Sequence, residues 1–384
     1  MSTKPEIVFT FPNCMGGVTS FNYNIINHSK LISSFYSKVI LLQANEDIRP
    51  PFLDRFVADE VIVFRYSNKE NQYYVQKRLN KLLGNLDGAI VTDNHLTVDA
   101  ATRFKNKKTI FHLLHDFFYV KQNISLGSRV DVAIAHSSFF SDAVFASNPT
   151  DFANRSFYIP YGVKQLEQIP LKKENLNLVF LGRLDEGKGV TLLHEIELLL
   201  QQNNVTANWS IIGKGPLKER LHNQWKSETN VCFYEPDSTE EVFELLKKQD
   251  VFVFPTSFEG TPVSILECLA NGVVTITNDL PGGIRDIVAE NFGFRCSLDN
   301  TKDFAKHIIT LNSNRDLLKK MQQNCYLLAK EKYDIEKNAD KYFKLFLQFA
   351  ELKRKDKSLK KMPLSRFDKS YFPNFFVKTL RTIK

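Results

Sequence analysis

Long apolar runs are absent from this sequence of 384 residues. No window approaches the roughly 18 uninterrupted apolar residues that a membrane-spanning helix needs, and the first apolar run is too short for a signal peptide. The five cysteines are scattered and form no Cys-x-x-Cys pair; they stand at positions 14, 232, 268, 296 and 325. This pattern disfavours disulfides and structural zinc, so we expect a protein of the reducing cytoplasm.

Two signatures of other enzyme classes are also missing. No strand-like run is followed by three glycines in the pattern Gly-x-Gly-x-x-Gly, which weighs against a dehydrogenase. The chain contains no Asp-x-Asp and no cluster of His, Cys, Asp or Glu with metal-ligand spacing. We therefore have no residues to assign to a metal.

Apolar strand-like runs alternate with helical patterns along the whole chain. Hydrophobic residues make up 43% and charged residues 24%, a globular composition, and the length suits two domains. The alternation indicates an α/β fold whose parallel sheets carry helices on both faces. We predict strands near residues 7–11, 38–43, 60–65, 89–92, 109–114, 132–136 and 157–160, and then near 177–181, 208–212, 231–234, 251–255, 273–277 and 293–296.

The polar segment 165–175 separates the two halves and is the expected linker. We predict a Rossmann-like domain over 1–165, a second one over 166–350, and a basic aromatic C-terminal segment over 351–384. Open α/β sheets bind ligands outside the carboxyl ends of their strands. We therefore expect the two domains to face each other across a cleft.

The stretch Glu-Gly-Thr-Pro-Val-Ser-Ile-Leu-Glu at 259–267 follows a buried-looking strand and opens a predicted helix. Thr261 is the expected N-cap residue, and Pro262 falls in the first turn, where proline is tolerated. The free N–H groups of a helix start favour an anion, and the flanking carboxylates of Glu259 and Glu267 suit a phosphate-linked sugar. The predicted phosphate cradle consists of Gly260, Thr261, Pro262, Val263 and Ser264. An ordinary strand-loop-helix turn is the alternative.

Two cations follow the first strand of the second half. Arg183 leaves the strand, and Lys188 lies between two glycines that permit unusual backbone angles. Such a pair could hold a pyrophosphate and neutralise its charge, although a solvated charged turn has the same composition. The next strand ends at Gly213, in Gly-Lys-Gly-Pro, where backbone can approach a ligand closely.

Two features stand out in the first half. Gly16 and Gly17 follow the first predicted strand at a helix entrance, where the alternative is a plain loop. His115 closes the predicted strand 109–114 at the edge expected to face the cleft. His95 and His112 are weaker candidates, because most histidines pack in the interior or lie at the surface.

Together these segments resemble the family-four retaining glycosyltransferases (glycosyl transferases group 1) of the GT-B fold. In that family two Glu residues, seven apart, follow a segment with Gly-Arg and then Lys-Gly. The resemblance implies a retaining transferase of hexosyltransferase type that uses a nucleoside diphosphate sugar, with UDP favoured and GDP next. It places Arg183 and Lys188 on the diphosphate, Glu267 on the ribose hydroxyls, and Glu259 and His115 at the transferred sugar as the catalytic residues.

The resemblance carries further expectations. It implies no metal and no cofactor, a last helix that crosses back onto the first domain, and donor phosphates against Gly16 and Gly17. The chain departs from the family at Arg285, where glutamate is usual, so the Pro-Gly-Gly before it is expected to share only the backbone shape. Tyr161 stands where asparagine is usual and is interpreted as part of a hinge. Near the nucleobase, Glu235 replaces the more common glycine.

Positive charge is concentrated in the segment 351–384. It holds 11 Lys or Arg and three Asp or Glu, so its net charge of +8 equals that of the whole chain. Basic residues with interleaved aromatics suit an anionic membrane surface, and no nucleic-acid motif accompanies them. We favour docking of these aromatics on the first domain together with some membrane contact.

The acceptor is expected to be a glycan or a lipid-linked sugar in surface polysaccharide synthesis, used in the cytoplasm or at the inner face of the cell membrane. Two other hypotheses remain open. One is a synthase or phosphorylase of the same fold that acts on a soluble acceptor. The other is a non-catalytic protein that binds sugar nucleotides and works through its basic segment.

Overall fold

The computed structural model describes residues 4–13, 16–48, 50, 55–147, 149–167, 176–355 and 363–383. The chain forms two compact units, Met1–Gly162 with Glu336–Lys384, and Val163–Ile335. Most of the predicted linker, 168–175, lies outside the described residues, as does 356–362 of the predicted C-terminal segment. The first unit takes up the chain again at Glu336, whereas the sequence predicted that the second domain would extend to residue 350.

The first unit contains one parallel sheet of seven strands in the order β3-β2-β1-β4-β5-β6-β7. Its central strands are buried on both faces, which explains their nearly continuous apolar sequences. The order reverses between β1 and β4, where doubly wound sheets open a crevice. The strands are β1 (Glu6–Pro12), β2 (Tyr36–Ala44), β3 (Glu60–Tyr66), β4 (Gly88–Thr92), β5 (Thr109–Leu114), β6 (Val132–Ala135) and β7 (Ser156–Tyr158).

Helices connect these strands. Side-chain caps begin several of them, as where the Asn71 side chain accepts from the Tyr73 N–H. The helices in the first part of this unit are α1 (Gly17–His28), α2 (Gln72–Leu83), α3 (His95–Arg103), α4 (Phe117–Leu126), α5 (Ser138–Ser147) and α6 (Pro149–Phe152).

The second unit repeats the architecture with six parallel strands in the order β10-β9-β8-β11-β12-β13. Here the order reverses between β8 and β11. The strands are β8 (Leu176–Leu181), β9 (Ala207–Ile212), β10 (Val231–Tyr234), β11 (Val251–Phe254), β12 (Val274–Asn278) and β13 (Gly293–Cys296). The helices are α7 (Leu193–Gln202), α8 (Lys218–Gln224), α9 (Thr239–Leu246), α10 (Val263–Ala270), α11 (Gly283–Ile287), α12 (Thr301–Ser313) and α13 (Arg315–Lys332).

In the described ranges after α13 the structure has three further helices: α14 (Ile335–Leu347), α15 (Phe349–Leu352) and α16 (Asn374–Ile383). Phe343 and Phe346 of α14 are fully buried, and each ring centroid lies 6.0 Å from that of Phe9 in β1. The predicted α/β architecture of two Rossmann-like domains is confirmed, with every predicted strand present. Within the described ranges, no helix is long and apolar enough to cross a membrane.

Candidate active site

The loops after β8 and β11 are tied together at the point where the second sheet reverses its order. The carbonyl oxygen of Gly187 accepts hydrogen bonds from the N–H of Ser257 at 2.9 Å and from the Thr256 hydroxyl at 3.2 Å. Gly189 has a φ of 66°, and a Cβ there would lie 1.9 Å from the carbonyl oxygen of Pro255. Only glycine fits this approach, so the loop that carries Lys188 is fixed against the loop that carries Glu259.

Lys188 and Glu259 form an ion pair in this fixed region, between Nζ and Oε1. The Glu259 side chain is only 9% exposed and that of Lys188 is 24% exposed, while the Thr256 hydroxyl donates to the same carboxylate oxygen at 3.0 Å. Burial raises the pKa of the Glu259 carboxyl, and Lys188 and Thr256 oppose that rise. Sequence reasoning assigned these two residues to different parts of a donor and missed their direct contact.

Helix α10 begins one residue later than the sequence predicted. Its N-cap is Pro262, with extended backbone at φ −72° and ψ 111°, and no side chain caps it. The prediction that Thr261 is the N-cap is therefore wrong; proline already has the φ that this position needs and lacks an N–H to satisfy. By helix geometry the N–H groups of Val263 and Ser264 have no acceptor within the helix, so they are available to an anion.

Glu267 lies in the second turn of α10 and is half-buried. Among the described residues its carboxylate has no ion pair and no hydrogen bond, although its backbone carbonyl accepts from Asn271 at 2.9 Å. Burial raises the pKa of this carboxyl to about 7. A half-buried carboxylate without a protein partner is suited to accept hydrogen bonds from a ligand's hydroxyl groups.

The loop after β12 also contacts the Glu259 loop, through a hydrogen bond of 2.9 Å from the Gly283 N–H to the carbonyl oxygen of Gly260. Arg285, two residues later, makes a bidentate bond to Asp279 at 2.9 and 3.0 Å, and both side chains are well exposed. The backbone at 282–283 therefore supports the cradle, while the Arg285 side chain is bound elsewhere.

The loop after β9 packs closely against the end of β8. Gly213 has a φ of 147°, and a Cβ there would lie 1.9 Å from the carbonyl oxygen of Gly182, so only glycine allows the ends of β8 and β9 to meet. Arg183 follows directly; its side chain is 71% exposed and pairs with Asp185. Unlike Lys188, it extends into solvent.

In the first unit, His115 lies at the carboxyl end of β5 inside a cluster of rings. It is only 6% exposed. Its Nδ1 lies 2.6 Å from the Tyr161 hydroxyl, and its Nε2 lies 3.4 Å from Oδ2 of Asp93. The rings of Phe21 and His136 approach it with centroids at 5.3 and 4.9 Å. The hydrogen bond to Tyr161 and the surrounding rings therefore fix the position of this imidazole, and Asp93 lies close to its other nitrogen.

The sequence of the second unit matches the model of a known family. Residues 164–327, nearly all of it, match the model of glycosyl transferases group 1. The second unit therefore resembles the glycosyl transferases group 1.

Individual relatives of this chain are distant. An uncharacterized glycosyltransferase of Haemophilus influenzae is 25% identical over 293 residues, which are 71% of this chain and 80% of that protein. The UDP-Gal:alpha-D-GlcNAc-diphosphoundecaprenol alpha-1,3-galactosyltransferase of Escherichia coli is 25% identical over 181 residues, 46% of each chain. The crystal structure of Anabaena HepE in complex with UDP has a TM-score of 0.70 at 16% identity, and covers 89% of this chain and 99% of that one. This last likeness shows the shared GT-B fold.

Three other predicted residues, Gly16, Gly17 and His112, lie in the first unit. Gly16 is the N-cap of α1, with a φ of 147°, and Gly17 is the first residue of that helix. His112 is buried within β5 between Gln122 and Asn123, each 3.0 Å from a ring nitrogen. Burial lowers its pKa to about 4, which indicates a packed core histidine.

Sequence reasoning missed the role of Asp93. Both of its buried carboxylate oxygens lack a hydrogen-bond partner in the part of the chain that the structure describes. The signal was present, because Asp93 follows β4 directly and β4 is the neighbour of β5, so its position is next to His115. Tyr161 was interpreted only as a hinge residue.

Within the described ranges, no group of three or more His, Cys, Asp or Glu is placed to hold a metal ion.

Proposed function

We propose that this chain is a group 1 glycosyltransferase that moves a sugar from a nucleoside diphosphate sugar, UDP-sugar by preference, to a glycan or lipid-linked acceptor in surface polysaccharide synthesis. One observation carries the proposal. Three features lie together where the second sheet reverses its strand order. They are the Lys188–Glu259 ion pair, the start of α10 and the Glu267 carboxylate, which has no partner among the described residues. This set offers a partner to each polar part of a sugar nucleotide.

The diphosphate is the natural partner of Lys188 and of the first N–H groups of α10. Lys188 is held beside this helix start by the loop contacts of Gly187, so it can turn from Glu259 to a phosphate without a large movement. Cationic and N–H donors aimed at the leaving diphosphate stabilise the charge that develops as the sugar departs. Arg183, already exposed, adds a second cation.

The carboxylates of Glu259 and Glu267 accept hydrogen bonds from hydroxyl groups of the donor. Glu267 accepts hydrogen bonds from the ribose, as its free and half-buried carboxylate allows. Glu259 loses part of its ion pair when Lys188 turns to phosphate, and hydroxyls of the transferred sugar replace that partner. The family resemblance also assigns His115 to the transferred sugar, and its ring is held by a hydrogen bond to the Tyr161 hydroxyl.

Three finer elements of the proposal have separate support. The uridine preference is supported by the UDP-Gal of the E. coli relative and the UDP bound to HepE. The lipid-linked acceptor is supported by the diphosphoundecaprenol acceptor named for the same relative. Retention of configuration rests on the resemblance of the two-glutamate motif, and the absence of Cys-x-x-Cys pairs supports a cytoplasmic site of action.

The first test is calorimetric binding of UDP, GDP, ADP, CMP and NAD to the purified chain, with Lys188→Ala beside it. One nucleoside diphosphate should bind tightly, and Lys188→Ala should weaken it roughly tenfold to a hundredfold, as expected for a hydrogen bond to a charged group. Arg285→Ala is the matched control, because Arg285 is bound to Asp279; it should bind like the parent. No diphosphate binding, or tight NAD binding that Lys188→Ala leaves unchanged, would refute the donor site.

An activity assay then distinguishes the proposed glycosyltransferase from the two alternative hypotheses. The parent chain and Glu259→Gln are assayed with the bound donor and with lipid-linked and soluble acceptors, and the anomeric configuration of the product is read by NMR. Activity with a soluble acceptor alone would favour a synthase or phosphorylase. Equal inactivity of both chains with every acceptor would favour a non-catalytic sugar-nucleotide binder.

A further inference from the structure

Helix α16 docks on the first unit by its polar side. Arg381 donates to the carbonyl oxygen of Glu70 at 2.7 Å and to the carboxylate of Asp368 at 2.8 Å. Asn374 accepts from the Asn71 N–H at 2.8 Å and donates to the Glu70 carboxylate at 3.1 Å. Ionic and amide groups thus anchor this helix, together with the fully buried Val377.

The opposite side of α16 presents apolar groups to solvent. We define the aromatic face as Phe375, Phe376 and Leu380 of α16 together with Phe367 and Tyr371 just before it; these residues are between 37% and 74% exposed. Surface helices of globular proteins normally turn their apolar side towards the core and their polar side outwards. Here Val377 is fully buried, but Phe375, Phe376 and Leu380 are turned outwards, so the predicted docking of the aromatics onto the first domain is not what the structure shows.

Phe372 joins the exposed rings into one row. Its ring centroid lies 5.7 Å from that of Phe367 and 6.3 Å from that of Phe376, and the planes of Phe372 and Phe376 are nearly parallel at 11°. A continuous exposed aromatic row of this kind marks a contact surface more often than scattered single residues do.

One cation lies beside the row, and two more are close to it in the sequence. The Arg366 guanidinium lies 5.9 Å from the Phe367 ring centroid, Lys378 is exposed on α16 itself, and Lys369 is half-buried just before it. The segment 351–384 carries a net charge of +8. The partner of this face must therefore accept both aromatic side chains and positive charge.

We propose that the aromatic face of α16 docks on an anionic lipid bilayer. A bilayer interface receives aromatic rings at the headgroup level, and its negative charge attracts the surrounding lysines and arginines. A second copy of this chain fits less well, because a symmetric contact would bring two segments of charge +8 together. The inference stands on α16 alone and does not depend on the donor site.

The location of α16 relates the bilayer to the proposed acceptor. Arg381 also donates to the carbonyl oxygen of Asn68, just after β3. Since all strands of this sheet are parallel, their carboxyl ends share the edge that carries Gly16 and His115. If the proposed function holds, a bilayer bound at α16 lies near the edge at which a lipid-linked acceptor would arrive.

The test is sedimentation with vesicles of phosphatidylcholine alone and of phosphatidylcholine with phosphatidylglycerol. The parent chain should bind the anionic vesicles, and less so as salt shortens the Debye length from about 10 Å at 0.1 M to about 3 Å at 1 M. Phe375→Ser with Phe376→Ser should weaken binding by about tenfold for each ring. Lys369→Ala with Lys378→Ala should weaken it by roughly fivefold for each charge.

Leu327→Ser is the matched control, because Leu327 is 50% exposed on α13 of the second unit; it should bind vesicles like the parent. All variants should keep the parent's affinity for the donor nucleotide, so a failure here is distinguishable from a failure of the donor site. Two results would overturn the proposal. One is a parent chain that stays in solution or binds independently of the aromatic face. The other is a dimer, detected by analytical ultracentrifugation, that the phenylalanine variant dissolves in the absence of vesicle binding.

Discussion

Lowering the pH below neutrality should weaken the binding of a nucleotide sugar, because the pKa of the Glu267 carboxyl is about 7. An ionised carboxylate accepts two hydroxyl hydrogen bonds, whereas the protonated acid loses the charge that strengthens them. Since burial raises the pKa above the usual value of a glutamate, protonation occurs within an accessible pH range. Affinity should thus be highest above pH 7 and fall as the pH falls through it.

The size of the effect follows from that pKa. A group with a pKa of about 7 is about nine-tenths ionised at pH 8 and about one-tenth ionised at pH 6. If only the ionised form binds ribose, the dissociation constant rises by up to about tenfold between these values, or about 1.4 kcal/mol. Residual bonding by the protonated acid would make the change smaller, so about tenfold is the upper bound.

Calorimetry with UDP-glucose is the suitable assay. Its two phosphates are both esterified, so it lacks the terminal phosphate ionisation near pH 6 that would complicate titration with UDP. Glu267→Gln should bind more weakly at pH 8 and show a flat pH profile. An analogue of UDP-glucose without the ribose hydroxyls should likewise show a flat profile with the parent chain.

Two outcomes would refute the argument. A profile that retains its full slope in Glu267→Gln would assign the titration to another group. A flat profile in the parent chain would mean that the Glu267 carboxylate does not bind the ribose or does not titrate near neutrality.

Two further changes act on stability. Lys188→Ala removes the partner of the buried Glu259 carboxylate, so chemical denaturation should show that the free energy of unfolding falls by up to about 3 kcal/mol. Adding Glu259→Gln should restore most of this loss. An unchanged free energy of unfolding in the single variant would contradict the buried pair. Phe346→Ala removes a fully buried ring whose centroid lies 5.2 Å from that of Phe111, with an expected loss of about 3–5 kcal/mol. Hydrogen exchange should then rise in β1 and β5 but not in β8, whereas the exposed Phe375→Ala should change neither.

The strands were predictable because their signal is local. A run such as Val-Phe-Val-Phe at 251–254 is apolar at every position, and the structure buries all four residues between two layers of helices. The alternation of such runs with helical patterns also predicted two doubly wound sheets. The donor-side motifs lie on loops directly after strands, so their position at the sheet edge followed from the same pattern.

Contacts between distant segments were not predictable in this way. Lys188 and Glu259 are 71 residues apart, and only the meeting of the β8 and β11 loops brings them together. The sequence analysis also predicted that the aromatic side of the C-terminal segment docks on the first domain, whereas these aromatics are exposed in the structure. The docking depends instead on Asn71 and Asp368, whose polar side chains have no periodic pattern to reveal a partner.

Because residues 336–384 belong to the first unit, that unit is interrupted in the order of synthesis. The ribosome completes Met1–Gly162, then makes the whole of the second unit, and only then supplies α14. At about 5–20 residues per second this delay lasts roughly 10–30 s, during which the apolar surface around Phe9 lacks Phe343 and Phe346. The second unit, whose segment is continuous, can finish folding first, so the half of the protein that begins the chain is the half that matures last.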